Sequence, residues 1–194
     1  PKIHKEKDKW LEGRIPKGRP IISDLNSLTY NISQFLEFKL KTLTPYLKHI
    51  IKDSRDFISK IHEFNASGCI LATADVEWLY TNMNNSLSIE IVADYFRRFT
   101  PEDKQIDLVL RLLDISLNNN DFVFNGKIYV QTNGTAMGKA YSPTLANIYL
   151  DSLDRLATCY DEVIFYGRYI DDIFIIFKGT TDELKTLEST LNDF

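Results

Sequence analysis

Three aspartates stand where carboxylates could do chemistry. Asp171 and Asp172 are adjacent within Tyr169-Ile170-Asp171-Asp172. Val163, Ile164, Phe165 and Tyr166 run into this stretch, and Ile173, Phe174, Ile175, Ile176 and Phe177 run out of it. Two apolar, β-rich runs about a polar pair predict a β-hairpin with the aspartates at or beside its turn. Strands this apolar are expected to be buried on both faces, where a lone charge is costly. Two adjacent carboxylates also repel one another. A divalent cation relieves both problems, and hard oxygen ligands at a tight turn suit magnesium. Asp75, closing the run Cys69-Ile70-Leu71-Ala72-Thr73-Ala74, offers a third carboxylate. If the strands are neighbours, three carboxylates can hold two magnesium ions ~3.5–4 Å apart, one activating an attacking hydroxyl and one neutralising leaving phosphates. The same residues also suit a plain structural role, with Asp75 capping a turn and the pair forming a solvated hairpin tip.

Other residue types add to this. Tyr80 follows Asp75 by five positions, in Val76-Glu77-Trp78-Leu79-Tyr80. An aromatic there can lie beside an incoming sugar, or simply pack in a core. The loop Asn133-Gly134-Thr135-Ala136-Met137-Gly138 allows close backbone approach to a ligand, or a helix-capping turn. Arg19, between Lys17-Gly18 and Pro20-Ile21-Ile22, offers a planar guanidinium suited to a triphosphate, or a surface charge.

The elements that would position these residues follow from pattern. Residues 1–22 are basic and read as two short strands joined by a loop, the second from Arg19 to Ser23. Ser33 is expected to cap a helix carrying Phe35, Leu36, Leu40 and Leu43 that closes near Pro45. Asp53 or Ser54 caps the next, with Phe57, Ile58 and Ile61 on one face. Residues 69–76 read as a buried strand. Ser86 or Ser88 opens a helix to about Phe99, and Thr100-Pro101-Glu102-Asp103 opens another to about Leu117. Asp121 to Gln131 reads as a hairpin turning at Asn125-Gly126. Ser142-Pro143 opens a helix through Leu145, Ile148, Tyr149 and Leu153, and a last helix starts near Thr181. Strands and helices mix without regular alternation, which predicts an α+β fold.

The 194 residues carry a net charge of −4, no global signature of a nucleic-acid binder. The charge is uneven. Residues 1–19 hold seven Lys/Arg, including Lys2 and Lys5, against three acids, a net of +4, so the remainder sums to −8. A basic arm beside an acidic body suits phosphate contact in one place and metal in another, or an ordinary lysine-rich terminus. Cys69 and Cys159 read as buried free thiols in a reducing compartment. Three scattered histidines argue against zinc. No apolar run approaches a membrane span, so no membrane partner is expected. Starting at Pro1 and stopping at Phe194 within a helical pattern, the chain reads as an excerpt of a longer protein.

Taken in order, these segments resemble reverse transcriptases, most closely those of Penelope-like retroelements, a group related to telomerase. Arg19-Pro20-Ile21-Ile22-Ser23 resembles a fingers motif. Ala74-Asp75-Val76-Glu77-Trp78-Leu79-Tyr80-Thr81-Asn82-Met83 resembles the first palm motif. Gly134 to Gly138, with Ser142-Pro143 and Leu145-Ala146-Asn147-Ile148-Tyr149, resembles the second. Arg168-Tyr169-Ile170-Asp171-Asp172 resembles the third.

The resemblance implies a right-hand polymerase fold without its thumb. Residues 1–68 would be mainly fingers. Residues 69–194 would be mainly palm, an antiparallel sheet backed by helices, with a fingers-like insertion at about 86–131. It implies RNA-directed DNA synthesis from an RNA template, a DNA primer and deoxynucleotides, with two magnesium ions or manganese in their stead. Asp75 and Asp171 would bind both metals, the Val76 carbonyl one of them, and Asp172 would be the peripheral carboxylate. Tyr80 would exclude a ribose 2′-hydroxyl. Arg19 would hold the triphosphate, helped by Lys2 or Lys5. Met137 and Gly138 would pack under the nascent base pair, with Met137 standing where retroviral relatives carry glutamine. Nuclear localisation follows from the family alone. An RNA-dependent RNA polymerase, or a non-catalytic RNA-binding scaffold, are the rival readings.

Overall fold

Two antiparallel sheets, eight α-helices and one 3₁₀ helix account for the regular structure of residues 21 and 23–193, which a computed structural model describes. The expected basic strands, with Lys2, Lys5 and Arg19, fall outside the described residues. Ile21 and Ser23, which are described, lie in no strand.

The first helices form where apolar residues recur at helical spacing. α1 (Tyr30–Leu40) runs into a 3₁₀ helix, Lys41–Tyr46, containing Pro45. Leu36, Leu40 and Leu43 are fully buried, each contributing about 1.5–3 kcal/mol through burial. Ser33 does not cap this helix. It lies a turn inside, fully buried, where its Oγ accepts the Ala140 N–H at 2.8 Å. α2 (Ser54–Ile61) is capped by Asp53, whose carboxylate accepts from the Arg55 and Asp56 amides at 2.8 and 2.9 Å. Phe57 and Ile61 of this helix pack inward, but Ile58 faces solvent.

β1 (Ile70–Asp75) follows, then a one-turn helix α3 (Leu79–Asn82) and the mutually packed helices α4 (Asn85–Phe99) and α5 (Ile106–Asn118). Asn84, not Ser86 or Ser88, caps α4. The buried Ser88 hydroxyl donates to the Asn84 carbonyl instead. α5 does not start at Thr100-Pro101. Asp103 is drawn to Lys39 on α1 at 2.8 Å and accepts the Gln105 amide, so residues 101–105 turn and the helix opens at Ile106.

β2 (Asp121–Phe124) and β3 (Lys127–Val130) pair in register about Asn125-Gly126, both at positive φ (50° and 71°), as a type I′ turn requires. α6 (Ser142–Tyr149) and α7 (Asp151–Ala157) break at Leu150. β4 (Val163–Tyr169) and β5 (Asp172–Phe177) form the second hairpin, and α8 (Thr181–Asn192) opens with a Thr180–Glu183 capping box.

The larger sheet has order β1-β5-β4, antiparallel throughout. One face sends Ile173, Ile175 and Phe177 into the main core with Leu145, Ile148 and Leu153. The other carries Phe165 and Ile176 under Ile51 and Phe57. The free side of β4 is closed by residues 49–51: the Arg168 amide donates to His49 O and the Ile51 amide to Arg168 O. Among the described residues nothing pairs with the outer side of β1. β1 is thus an edge strand, mostly exposed rather than buried as expected, with Leu71 60% accessible. Cys159 is also exposed, and Cys69 half-buried, both free. No described helix is long and apolar enough to cross a membrane.

Candidate active site

A two-residue turn, Ile170-Asp171, joins β4 to β5. Ile170 adopts φ 56°, a left-handed backbone that a β-branched residue rarely takes. Such strain costs about 1–3 kcal/mol and persists only where the surroundings fix it. Here they do. The Arg168 guanidinium donates to Ile170 O at 2.7 Å, and the Val76 amide donates to Asp171 O at 3.0 Å.

That second bond ties the turn to β1, and the ladder completes the convergence. Asp75 pairs directly with Asp172, as Ala74 does with Ile173. Directly opposed residues share one face of a sheet with Cβ atoms about 4.5–5.5 Å apart. Asp75 is thus brought to the end of the sheet that carries Asp171 and Asp172, 96 and 97 residues further along the chain. No described cation forms an ion pair with any of them. Hard oxygen donors with no counter-charge among the described residues fit a divalent ion in kind. Among the described residues, however, no three acidic, His or Cys side chains stand together closely enough to hold one as they are turned here. Asp171 occupies the turn, whereas Asp75 and Asp172 face each other across the ladder. Asp75, Asp172 and Tyr169 line a cleft of about 820 Å³ with Thr73, Phe174 and Phe57.

Tyr80 stands beside this corner. It lies in α3, entered through Trp78 at φ 56°. Burial first, then the nearby Asp171 charge, pushes the Tyr80 phenol above its ordinary pKa. The Tyr80 carbonyl accepts the Thr135 amide at 2.8 Å. The glycine loop therefore does make a close backbone approach, but to the chain itself. Met137 and Gly138 sit half-buried in the turn leading to α6.

Sequence reasoning assigned no role to a network behind the turn. Arg168 is fully buried. Its Nε and Nη2 donate to the two carboxylate oxygens of Asp154, each at 2.7 Å. Its Nη1 reaches Asn147 Oδ1 at 2.9 Å as well as Ile170 O, and its Nη2 reaches Asn147 O at 3.2 Å. The Tyr166 hydroxyl also donates to Asp154, and burial, then the Asp154 charge, raises its pKa well above the ordinary value. The available signal was an arginine inside an apolar strand, since a charge so buried requires a partner.

A mixed fold with an antiparallel sheet bearing acids at its hairpin is the architecture of a polymerase palm. The family model described as Reverse transcriptase (RNA-dependent DNA polymerase) matches residues 3–194, and the chain belongs to that family. Among solved structures, telomerase from Candida tropicalis truncated from its C-terminal domain is similar at TM-score 0.59 and 14% identity, over 86% of this chain and 37% of that one. Telomerase from Candida albicans in complex with a TWJ fragment of telomeric RNA is similar at TM-score 0.61 and 12% identity, over 84% and 32%. The apo Candida tropicalis telomerase gives TM-score 0.60 at 14% identity, over 82% and 33%. These likenesses show the right-hand polymerase fold. The chain spans about a third of the length of those telomerase chains. No curated protein matches the sequence.

Proposed function

We propose that this chain is the fingers and palm of an RNA-directed DNA polymerase, extending a DNA primer on an RNA template with deoxynucleotides. The observation that carries this reading is the pairing of Asp75 with Asp172 beside a turn whose Asp171 carbonyl is bound by the Val76 amide. In a member of the reverse transcriptase family, those acids have an evident use.

Asp75, Asp171 and the Val76 carbonyl would hold divalent metal, with Asp172 beside them. Magnesium, or manganese in its stead, supplies charge neutralisation at the phosphates and a more acidic primer hydroxyl. The chain's own residues do the rest. The acids fix the position at which the primer 3′-oxygen meets the α-phosphorus. The 3′-hydroxyl gives its proton to solvent as a P–O bond forms there, the bond from the α-phosphorus to the bridging oxygen breaks, and pyrophosphate leaves. Tyr80 excludes a ribose 2′-hydroxyl. Arg19, with Lys2 or Lys5, holds the triphosphate, while Met137 and Gly138 support the nascent pair. Much of the acceleration is positioning. The motif Arg168-Tyr169-Ile170-Asp171-Asp172 and the segment Ala74 to Met83 support a Penelope-like element as the parent, and with it a nuclear site of action.

The test is primer extension on an RNA template by the full-length protein, beside Asp171→Ala. Extension that disappears in the variant supports the reading, and equal extension by both overturns it.

A further inference from the structure

Gly134 lies hard against the Tyr80 main chain. Gly134 has φ 71°, and a Cβ added there would stand 2.0 Å from Tyr80 O and 2.9 Å from Thr81 Cα. Both atoms are main chain, so no side chain could swing away. The adjoining Thr135 amide binds the same carbonyl at 2.8 Å.

Each partner is held from behind. On the loop side, the Thr135 and Ser142 hydroxyls lie 2.6 Å apart, and Ser142 Oγ donates to Ala136 O at 2.7 Å. Thr135 and Ser142 are both buried, which fixes the loop to the first turn of α6. On the other side, the amides of Thr81 and Asn82 both donate to Trp78 O at 3.0 Å, closing the short turn that carries Tyr80. The Tyr80 peptide is caught between two fixed surfaces, the glycine loop on one side and its own short turn on the other.

We infer that Gly134 is a specificity-determining residue. Lacking a side chain, it lets the loop seat the Tyr80 peptide, and so sets how far the Tyr80 ring reaches toward the sugar. The inference rests on the reading of Tyr80 as the sugar gate. A methyl at Gly134 would force the Tyr80 main chain to move, and a misplacement of about 1 Å can cost as much as about a hundredfold in rate.

The experiment measures kcat/KM for a deoxynucleotide and for the matching ribonucleotide in the full-length protein. Gly134→Ala is expected to lower the ratio of the two about tenfold. Tyr80→Ala lowers it as well, and Gly134→Ala added to Tyr80→Ala changes it no further. Gly126→Ala is the control: Gly126 has the same φ of 71° with nothing within 4 Å of its would-be Cβ, and its ratio stays at the wild-type value. A Gly134→Ala that slows both substrates equally overturns the inference. So does an effect of equal size in the Tyr80→Ala background. An unchanged ratio in Tyr80→Ala itself overturns the gate reading. As a readout independent of turnover, 3-fluorotyrosine at position 80 should change its fluorine chemical shift on Gly134→Ala and not on Gly126→Ala. An unmoved signal refutes the positioning directly.

Discussion

Arg168 and Asp154 form an ion pair in which both side chains are entirely shielded from solvent, with two parallel hydrogen bonds of 2.7 Å each. Such a pair adds little net stability over an apolar pair of similar size, but removing one partner leaves an uncompensated buried charge. Arg168→Met is therefore expected to cost about 3–5 kcal/mol in urea unfolding, and Asp154→Leu a similar amount. The double variant should recover only part of that loss, because the Tyr166 hydroxyl and Asn147 still lose a partner. It should not recover the grip on Ile170 O, so primer extension stays depressed when folding is restored.

The opposed carboxylates of Asp75 and Asp172 give a second prediction. Like charges directly across a ladder are destabilising, by about 0.2–1 kcal/mol. With chelator present, Asp172→Asn should melt above wild type. Magnesium should raise the melting temperature of wild type, and raise that of Asp75→Asn much less. Equal magnesium shifts in both would exclude Asp75 from the binding site.

Two polar side chains near helix starts should respond differently to truncation. Asp53→Ala loses a helix cap, which costs about 1 kcal/mol. Ser33→Ala leaves the buried Ala140 amide without its acceptor, a loss of about 1–3 kcal/mol. Because Ala140 adjoins the loop into α6, Ser33→Ala should also raise amide exchange there, whereas Asp53→Ala should not.

Acid dependence tests the tie between α1 and the turn before α5. The Lys39 hydrogen bond, then the Gln105 amide, holds the Asp103 carboxyl below its usual pKa. A depressed carboxylate contributes stability above its unfolded pKa, and that contribution fades as pH falls through the folded value. Asp103→Asn should therefore be less stable than wild type at neutral pH, and the gap should close in acid. A gap independent of pH would mean that the ion pair contributes nothing.

Much of the site was legible because its signals are local. Asn125-Gly126 dictates its own turn, and an acid pair between two apolar runs dictates a hairpin. Asp53 caps the helix that follows it, as its type demands. What failed was decided by partners far along the chain. Ser33 looks like a cap until Ala140 claims its hydroxyl. Thr100-Pro101-Glu102-Asp103 has the composition of a helix start, but Lys39 competes for Asp103. The run from Ile70 to Asp75 reads as a central strand, and nothing in six residues reveals that, among the described residues, it has a partner on one side only. Arg168 is visible as an oddity, whereas Asn147 and Asp154 become its partners only once α6 and α7 lie against β4.

The pairing of Asp75 with Asp172 has a kinetic consequence. β4 and β5 meet across a two-residue turn, but β1 joins β5 only by closing a loop of about a hundred residues. Closure of that span carries an entropic cost that the local hairpin avoids. During synthesis, β1 leaves the ribosome long before its partner exists, with one hydrogen-bonding edge and an apolar face unoccupied. The corner where Asp75 pairs with Asp172 is thus among the last features to assemble, and an interrupted chain holds Asp75 without that partner.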